Sequence, residues 1–275
     1  MCKYPASLGW HLQLKRAETK HDQLQSELDR RKMKRRKDDD EFKVVEGVID
    51  PPTMKTLHRL LNRGVITELH GAISTGKEAN VYRGIDGDGL PVAVKIYRIS
   101  TAETDFMLEY MIGDTRFKNV RKQSRSLIPQ WAMKEFKNLH RYYDAGVRVP
   151  KPIAIERNVM IMEFIGDVKQ SIAAPLLKSV KIPSPVSTFN KIIGMIEKGY
   201  TKAGLVHADL SEYNILWADG PVFIDVSQAV LISHQNAKQY LLRDIQNIIH
   251  FFGKLGVKAE QPEIIAQHII AAGEN

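Results

Sequence analysis

Asp209, Asn214 and Asp225 fall at intervals of five and eleven residues in GLVHADLSEYNILWADGPVFIDVSQAV, residues 204–230, on turns between apolar segments. With His207 two residues before the first Asp, the order reads H-x-D-x-x-x-x-N followed by a second Asp within the apolar run VFIDV. That set suits phosphoryl transfer, in which one carboxylate free of metal accepts or orients the proton of an attacking hydroxyl or water. Asp209 fits this role. Asn214 and Asp225 supply the hard oxygen ligands that Mg²⁺ or Mn²⁺ takes, the remaining positions going to phosphates and water. Singly, each residue reads as readily as a turn residue, a helix cap or a strand-end Asp. The ordered set carries the chemistry.

Such a site needs a cation for the phosphates and a surface for the base. In residues 90–97 the side chains alternate, Val92, Val94 and Ile96 on one face and Ala93, Lys95 and Tyr97 on the other. Lys95 then reaches α- and β-phosphates while Ala93 leaves room for adenine. Residues 130–145 have a helical pattern ended by Gly146. Trp131, Glu135 and Leu139 share its apolar face with Ala132, Phe136 and Tyr143. A carboxylate there calls for a cation, and Glu135 is assigned to Lys95. Residues 70–82 read as strand, tight turn and strand, and Asp86-Gly87-Asp88-Gly89 as a further hairpin turn. The turn offers backbone N–H groups to a triphosphate, together with Ser74, Thr75, Gly76 and Lys77, and Val81 follows on the next strand. Gly71-x4-Gly76-Lys77 imitates a P-loop, but Glu78 replaces the Ser or Thr that would hold Mg²⁺ and no helix follows. After Pro150 and Pro152, an apolar strand at 159–164 broken by Gly166 reads as a hinge, the backbone of Glu163 to Ile165 facing the adenine edge.

The rest of the chain sorts around these segments. Thr53 is a candidate cap for a helix carrying Met54, Leu57, Leu60 and Leu61, ended by Gly64. Residues 99–129 lack a clear period and read as a long, mobile loop with at most one short helix. Within it Ser124 and Ser126, flanked by Arg121, Lys122 and Arg125, are candidate phosphorylation sites, or plain exposed serines. An amphipathic helix through Phe189, Ile192, Ile193, Ile196 and Tyr200 leads to Gly204, and another at 240–252 buries Leu241, Ile245, Ile248 and Phe252. Asp244 on it reads as structural.

The 275 residues, 43% hydrophobic and 26% charged, suit a globular protein of two ordinary lobes. No apolar run reaches the length of a membrane span and the N-terminus lacks a signal-peptide core, so a cytoplasmic location without membrane contact is expected. The single cysteine, Cys2, excludes an internal disulfide and a cysteine-rich zinc site. The net charge of +8 is local: RRKMKRRK at 30–37 holds seven of the 40 basic residues, and without it 33 remain against 32 acidic ones. This arm, from Arg30 to Lys37, is a candidate contact for RNA phosphates. The oligomeric state is not legible.

Taken together, STGKEANVY at 74–82, HADLSEYN at 207–214 and IDV at 224–226 resemble the RIO family of atypical kinases, and most closely its type-1 subfamily. The resemblance spans residue 50 to the end of the chain. It implies an α+β, trimmed two-lobed protein-kinase-like fold: an antiparallel sheet with a helix in the N-terminal lobe and a reduced, mostly helical C-terminal lobe. The expected division is a charged arm at 1–46, an N-lobe at 47–162 with the insertion at 99–129, and a C-lobe at 163–275. The resemblance further implies ATP with a divalent metal between the lobes, serine autophosphorylation, ATPase activity through a phospho-aspartate at Asp225, and a role on the pre-ribosomal small subunit and its RNA. Three departures from ordinary protein kinases bear on activity. Ala208 replaces the arginine that pairs with a phosphorylated activation loop, Ser211 stands where a phosphate-contacting lysine is usual, and Val226 removes the Phe-Gly pair after the metal Asp. With the short remainder after Asp225, these favour slow, switch-like turnover over a kinase with many peptide substrates. Two other readings share part of the pattern: a small-molecule phosphotransferase of the aminoglycoside-kinase kind, and a non-catalytic RNA-binding scaffold that uses ATP to set its shape.

Overall fold

The computed structural model describes residues 49–99, 104–117, 124–168 and 170–274. The basic arm, Cys2, Arg121 and Lys122 lie outside these residues. Contacts divide the chain after Asp50, and Pro51–Asn275 is the unit described below.

Helix α1 (Pro51–Asn62) starts two residues before Thr53, which is buried inside it rather than capping it. The helix ends as expected, with Gly64 at φ 67° and Val65 N–H donating back to Leu60. Strands β1 (Ile66–Thr75), β2 (Ala79–Asp86) and β3 (Pro91–Tyr97) follow as consecutive antiparallel neighbours. Asp86 builds the β2–β3 turn, its side chain accepting from the N–H groups of Asp88 at 3.0 Å and Leu90 at 2.8 Å. Strands β4 (Pro152–Glu156) and β5 (Val159–Glu163) complete a five-stranded sheet in the order β1-β2-β3-β5-β4. β3 is therefore central, and both faces of its alternating pattern are buried.

The insertion departs from expectation only at its end. It holds a short helix, α2 (Thr104–Glu109), and its end belongs to α3, which runs Ser124–Asp144 rather than beginning at 130. Pro129 lies inside α3, where it removes a helix hydrogen bond. Leu127, Ile128 and Trp131, all fully buried, hold the turn in place regardless. Glu135 and Leu139 share that buried face as expected, but it continues through Tyr142, and Tyr143 is 42% exposed.

After β5 come the short hairpin β6 (Gly166–Asp167) and β7 (Ile172–Ala173). A Cβ on Gly166 would lie 2.2 Å from the Ile172 carbonyl, so only glycine fits there. Helix α4 (Pro185–Thr201) packs beside α5 (Ala237–Gly253) and α6 (Pro262–Gly273), the last unread in the sequence. Between α4 and α5 the chain forms two-stranded pairs, β8 (Leu205–Val206) with β11 (Val230–Leu231) and β9 (Ile215–Trp217) with β10 (Pro221–Phe223). These pairs frame the loops that carry Asp209, Asn214 and Asp225. Beneath them Ile192, Leu241, Ile245, Ile248 and Phe252 form the helical core. Among the described residues no helix is long and apolar enough to cross a membrane.

Candidate active site

Lys95 sits in the wall of a cleft of about 540 Å³ between the sheet and the helical part, a volume in the range of small-molecule sites. Backbone pairing fixes its place: on β3 it stands opposite Val81 of β2 and Met160 of β5. Its Nζ donates to both Glu135 oxygens, at 2.9 and 2.8 Å, and to Asp225 Oδ1 at 3.0 Å. The Tyr97 hydroxyl also donates to Glu135. Burial alone would push the ammonium down, but Asp225 and Glu135 outweigh it and hold Lys95 protonated well above its ordinary range.

Asp225 begins the turn after β10 with φ at 57°, a left-handed conformation that costs a non-glycine residue about 1 kcal/mol or more. Its side chain is 49% exposed, and that exposure is to the cleft it lines. The neighbouring Lys95 ammonium is the main cause of a pKa below the usual carboxylate range, so Asp225 stays ionised. Asp209 shares the cleft and is shifted the other way, raised by burial and by the Asp225 charge. Two amides hold its Oδ2, Asn214 Nδ2 at 2.9 Å and Gln228 Nε2 at 3.1 Å. The two carboxylates of the cleft are thus shifted in opposite directions.

The loop bearing Asp209 is gripped from below. The buried Asp244 carboxylate accepts from Ala208 N–H at 2.8 Å and Leu210 N–H at 2.9 Å, while Arg243 donates to the Ala208 carbonyl and Asn247 to that of Leu210 at 3.0 Å. Burial pushes Asp244 up to about 7. Its expected structural role is thus a specific one, holding Ala208 at φ 67°. His207 is buried with Nε2 3.2 Å from the Ile224 carbonyl, and burial drives it down to about 4, so it is neutral.

Ser74, Gly76, Lys77, Val81, Ala93, Glu135, Glu163 and Ile165 all line the cleft. Two expected residues do not. Thr75 is exposed at the end of β1, and Asn214 stands behind the wall with Nδ2 also 2.7 Å from the Asp209 carbonyl. The hinge expectation also narrows. Glu163 N–H already donates to the Lys151 carbonyl at 2.8 Å, and its carboxylate takes two Arg148 nitrogens at 2.8 Å each, so neither faces a ligand unpaired. Sequence reasoning missed Gln228, Met162, Ala174 and Glu78 in the wall. Glu78 was legible as a charge in the turn, and its carboxyl is raised by burial and by Asp225. Among the described residues no group of three or more His, Cys, Asp or Glu side chains is placed to hold a metal ion. Mg²⁺ at phosphates does not require one, since it takes one or two carboxylates and keeps its water.

A model of the RIO domain matches residues 80–265. The chain belongs to the RIO family. It is 43% identical over 227 residues to the RIO-type serine/threonine-protein kinase Rio1 of Haloferax volcanii, covering 82% of this chain and 77% of that protein. Against the human serine/threonine-protein kinase RIO1 the identity is 40% over 225 residues, or 80% of this chain and 39% of that protein. A crystal structure of the Rio2 kinase from Chaetomium thermophilum, an ADP/Mg²⁺-phosphoaspartate complex, superimposes with a TM-score of 0.60 at 25% identity, covering 80% of this chain and 66% of that one. The chain is an atypical serine/threonine kinase of the Rio1 type with a trimmed kinase-like α+β fold. RIO membership displaces the aminoglycoside-kinase and non-catalytic readings.

Proposed function

We propose that the cleft binds ATP with Mg²⁺ or Mn²⁺, and that Asp209 and Asp225 divide the labour of phosphoryl transfer. The observation that carries this is the opposed pair itself: a raised Asp209 and a depressed Asp225 in one cleft, the latter bonded to the buried ammonium of Lys95. The donor set suits a metal–triphosphate. Lys95 offers a fixed cation, Asp225 an ionised oxygen open to the cleft, and Ser74, Gly76 and Lys77 line the turn above. Bound Mg²⁺ would neutralise phosphate charge and orient the γ-phosphoryl group, with Asp225 and Asn214 as its protein ligands. For Asn214 this requires turning its amide away from Asp209. Asp209 takes the proton of the attacking hydroxyl as the new O–P bond forms and the bond to the bridging oxygen of ADP breaks. Ala93, Val81 and Ile165 offer apolar surface to the base.

Beyond this transfer we infer serine autophosphorylation, ATP hydrolysis through a phospho-aspartate at Asp225, and action on the pre-ribosomal small subunit and its RNA through Arg30 to Lys37. The phosphoaspartate in the Rio2 complex and the local basicity of the arm support this reading. Ser126 is half-buried on α3, so an acceptor there requires the first turn to unwind. Single turnover with γ-labelled ATP tests the site. Label should transfer to the wild type, part of it hydroxylamine-labile, and the hydroxylamine-stable part should be lost in Asp209→Ala, together with hydrolysis. Survival of hydrolysis and of the stable label in that variant would overturn the assignment. For the partner, deleting residues 1–41 should weaken binding to pre-ribosomal particles; unchanged binding would dismiss the arm.

A further inference from the structure

Helix α3 presents three fully or almost fully buried polar side chains within little more than one turn: Lys134, Glu135 and Asn138, at 0%, 1% and 0% exposure. Glu135 faces Lys95. The other two face the main chain just after Asp225. Lys134 Nζ donates to the carbonyls of Ser227 at 2.7 Å and Ala229 at 2.6 Å. Asn138 Nδ2 donates to those of Val226 at 2.8 Å and Ala229 at 3.1 Å. Arg116, itself bonded to Asp114, donates to Asn138 Oδ1 at 2.8 Å, which fixes the amide with its nitrogen toward the loop.

Within residues 225–229 the turn has little to hold it. Ala229 N–H reaches the Val226 carbonyl at 3.2 Å, and Ser227 Oγ reaches Asp225 Oδ1 at 3.2 Å. Yet Asp225 is left-handed where it meets Lys95. A buried ammonium bonded to neutral carbonyls is costly, and burial pushes Lys134 down to about 7. Charged or neutral, it retains the two hydrogens that the two carbonyls need.

We propose that Lys134 and Asn138 are positioning residues for the reaction: they clamp the carbonyls of 226, 227 and 229 so that Asp225 is held in its left-handed conformation facing Lys95. One helix thereby places both partners of the lysine, Glu135 directly and Asp225 through its following turn. The segment at Asp114 and Arg116 extends the clamp into the insertion. This rests on the reading of Asp225 as the metal-holding carboxylate, and two measurements keep the ideas separable.

The first needs no nucleotide. In Lys134→Met and Asn138→Leu, amide hydrogen exchange at residues 225–230 should quicken at least tenfold. The comparison is Ile269→Ala, a core truncation in α6 away from the loop, which should leave those amides unchanged. The second is kinetic: kcat should fall about tenfold or more and the half-saturating Mg²⁺ rise by a similar factor, with the KM for ATP at saturating metal changed less than threefold. If either variant fails to fold, Arg116→Gln, which removes only the outer support of Asn138, should show the same pattern to a smaller degree. Unchanged exchange and an unchanged metal requirement in a folded variant would overturn the proposal. So would losses that match those of Ile269→Ala at equal thermal stability. Faster exchange with an unaltered metal requirement would leave the clamp standing and remove Asp225 from metal binding.

Discussion

The two sides of the cleft are built by different means. On the sheet side, Ala93 and Lys95 are placed by strand pairing, with β3 bonded to β2 and β5 along its length. On the loop side, Asp209 and Asp225 sit in irregular backbone next to or at left-handed residues, where ladders cannot reach. Side chains from distant helices do the work there: Asp244, Arg243 and Asn247 from α5, and Lys134 and Asn138 from α3. A ladder spreads its hold over many equivalent bonds, and losing one changes little. A side-chain clamp concentrates it, and losing one partner leaves buried backbone groups unpaired. The loop side is therefore the more vulnerable to single substitutions, including substitutions far from any substrate.

The largest effect should come from the chemistry itself. Asp209→Asn should lower γ-phosphoryl transfer by about 10³-fold or more while the melting temperature stays near that of the wild type; single-turnover labelling and calorimetry check both halves. Next comes the grip on the loop. Asp244→Ala leaves the Ala208 and Leu210 N–H groups unpaired and should cost about 2–4 kcal/mol in urea unfolding as well as lowering kcat about 10²-fold. Loss of stability with full activity would show that this loop needs no clamp.

Acidification should act through His207. Its folded pKa, about 4, lies below the ordinary 6.5, so the stability it contributes is complete above pH 6.5 and is lost as pH falls toward 4. Comparing unfolding at pH 7.5 and 4.5, the wild type should lose about 2 kcal/mol more than His207→Gln. The smallest effect is expected on the sheet side. Thr75→Ala, at an exposed strand end outside the cleft lining, should leave kcat/KM for ATP within about threefold. A larger loss would mean that the turn above the cleft closes over nucleotide further than its present position shows.

Much of the sheet side was legible. The alternation in 90–97, the Asp86-Gly87-Asp88-Gly89 turn and the Glu135 spacing gave β3, its hairpin and the partner of Lys95, because strand and helix periods are written directly in side-chain type. Less was legible in the insertion, where burial of Leu127 and Ile128 carries helix α3 through Pro129 against local preference. The sequence also could not distinguish Tyr142 from Tyr143 as the buried ring, since both fall within reach of the same helix face.

By itself the amino-acid order marked the candidates for chemistry, Lys95, Glu135, Asp209, Asn214 and Asp225, since only certain side chains can accept a proton, neutralise phosphate or ligate a hard cation. Tertiary structure alone decided how those groups are held: the left-handed turn at Asp225, the Asn214 amide turned toward Asp209, and the capture of the 208–210 and 226–229 backbone by α5 and α3. The acceptors and donors in those clamps are main-chain carbonyls and amides, which nearly every residue carries. A contact whose one partner is backbone leaves almost no mark on the sequence that makes it.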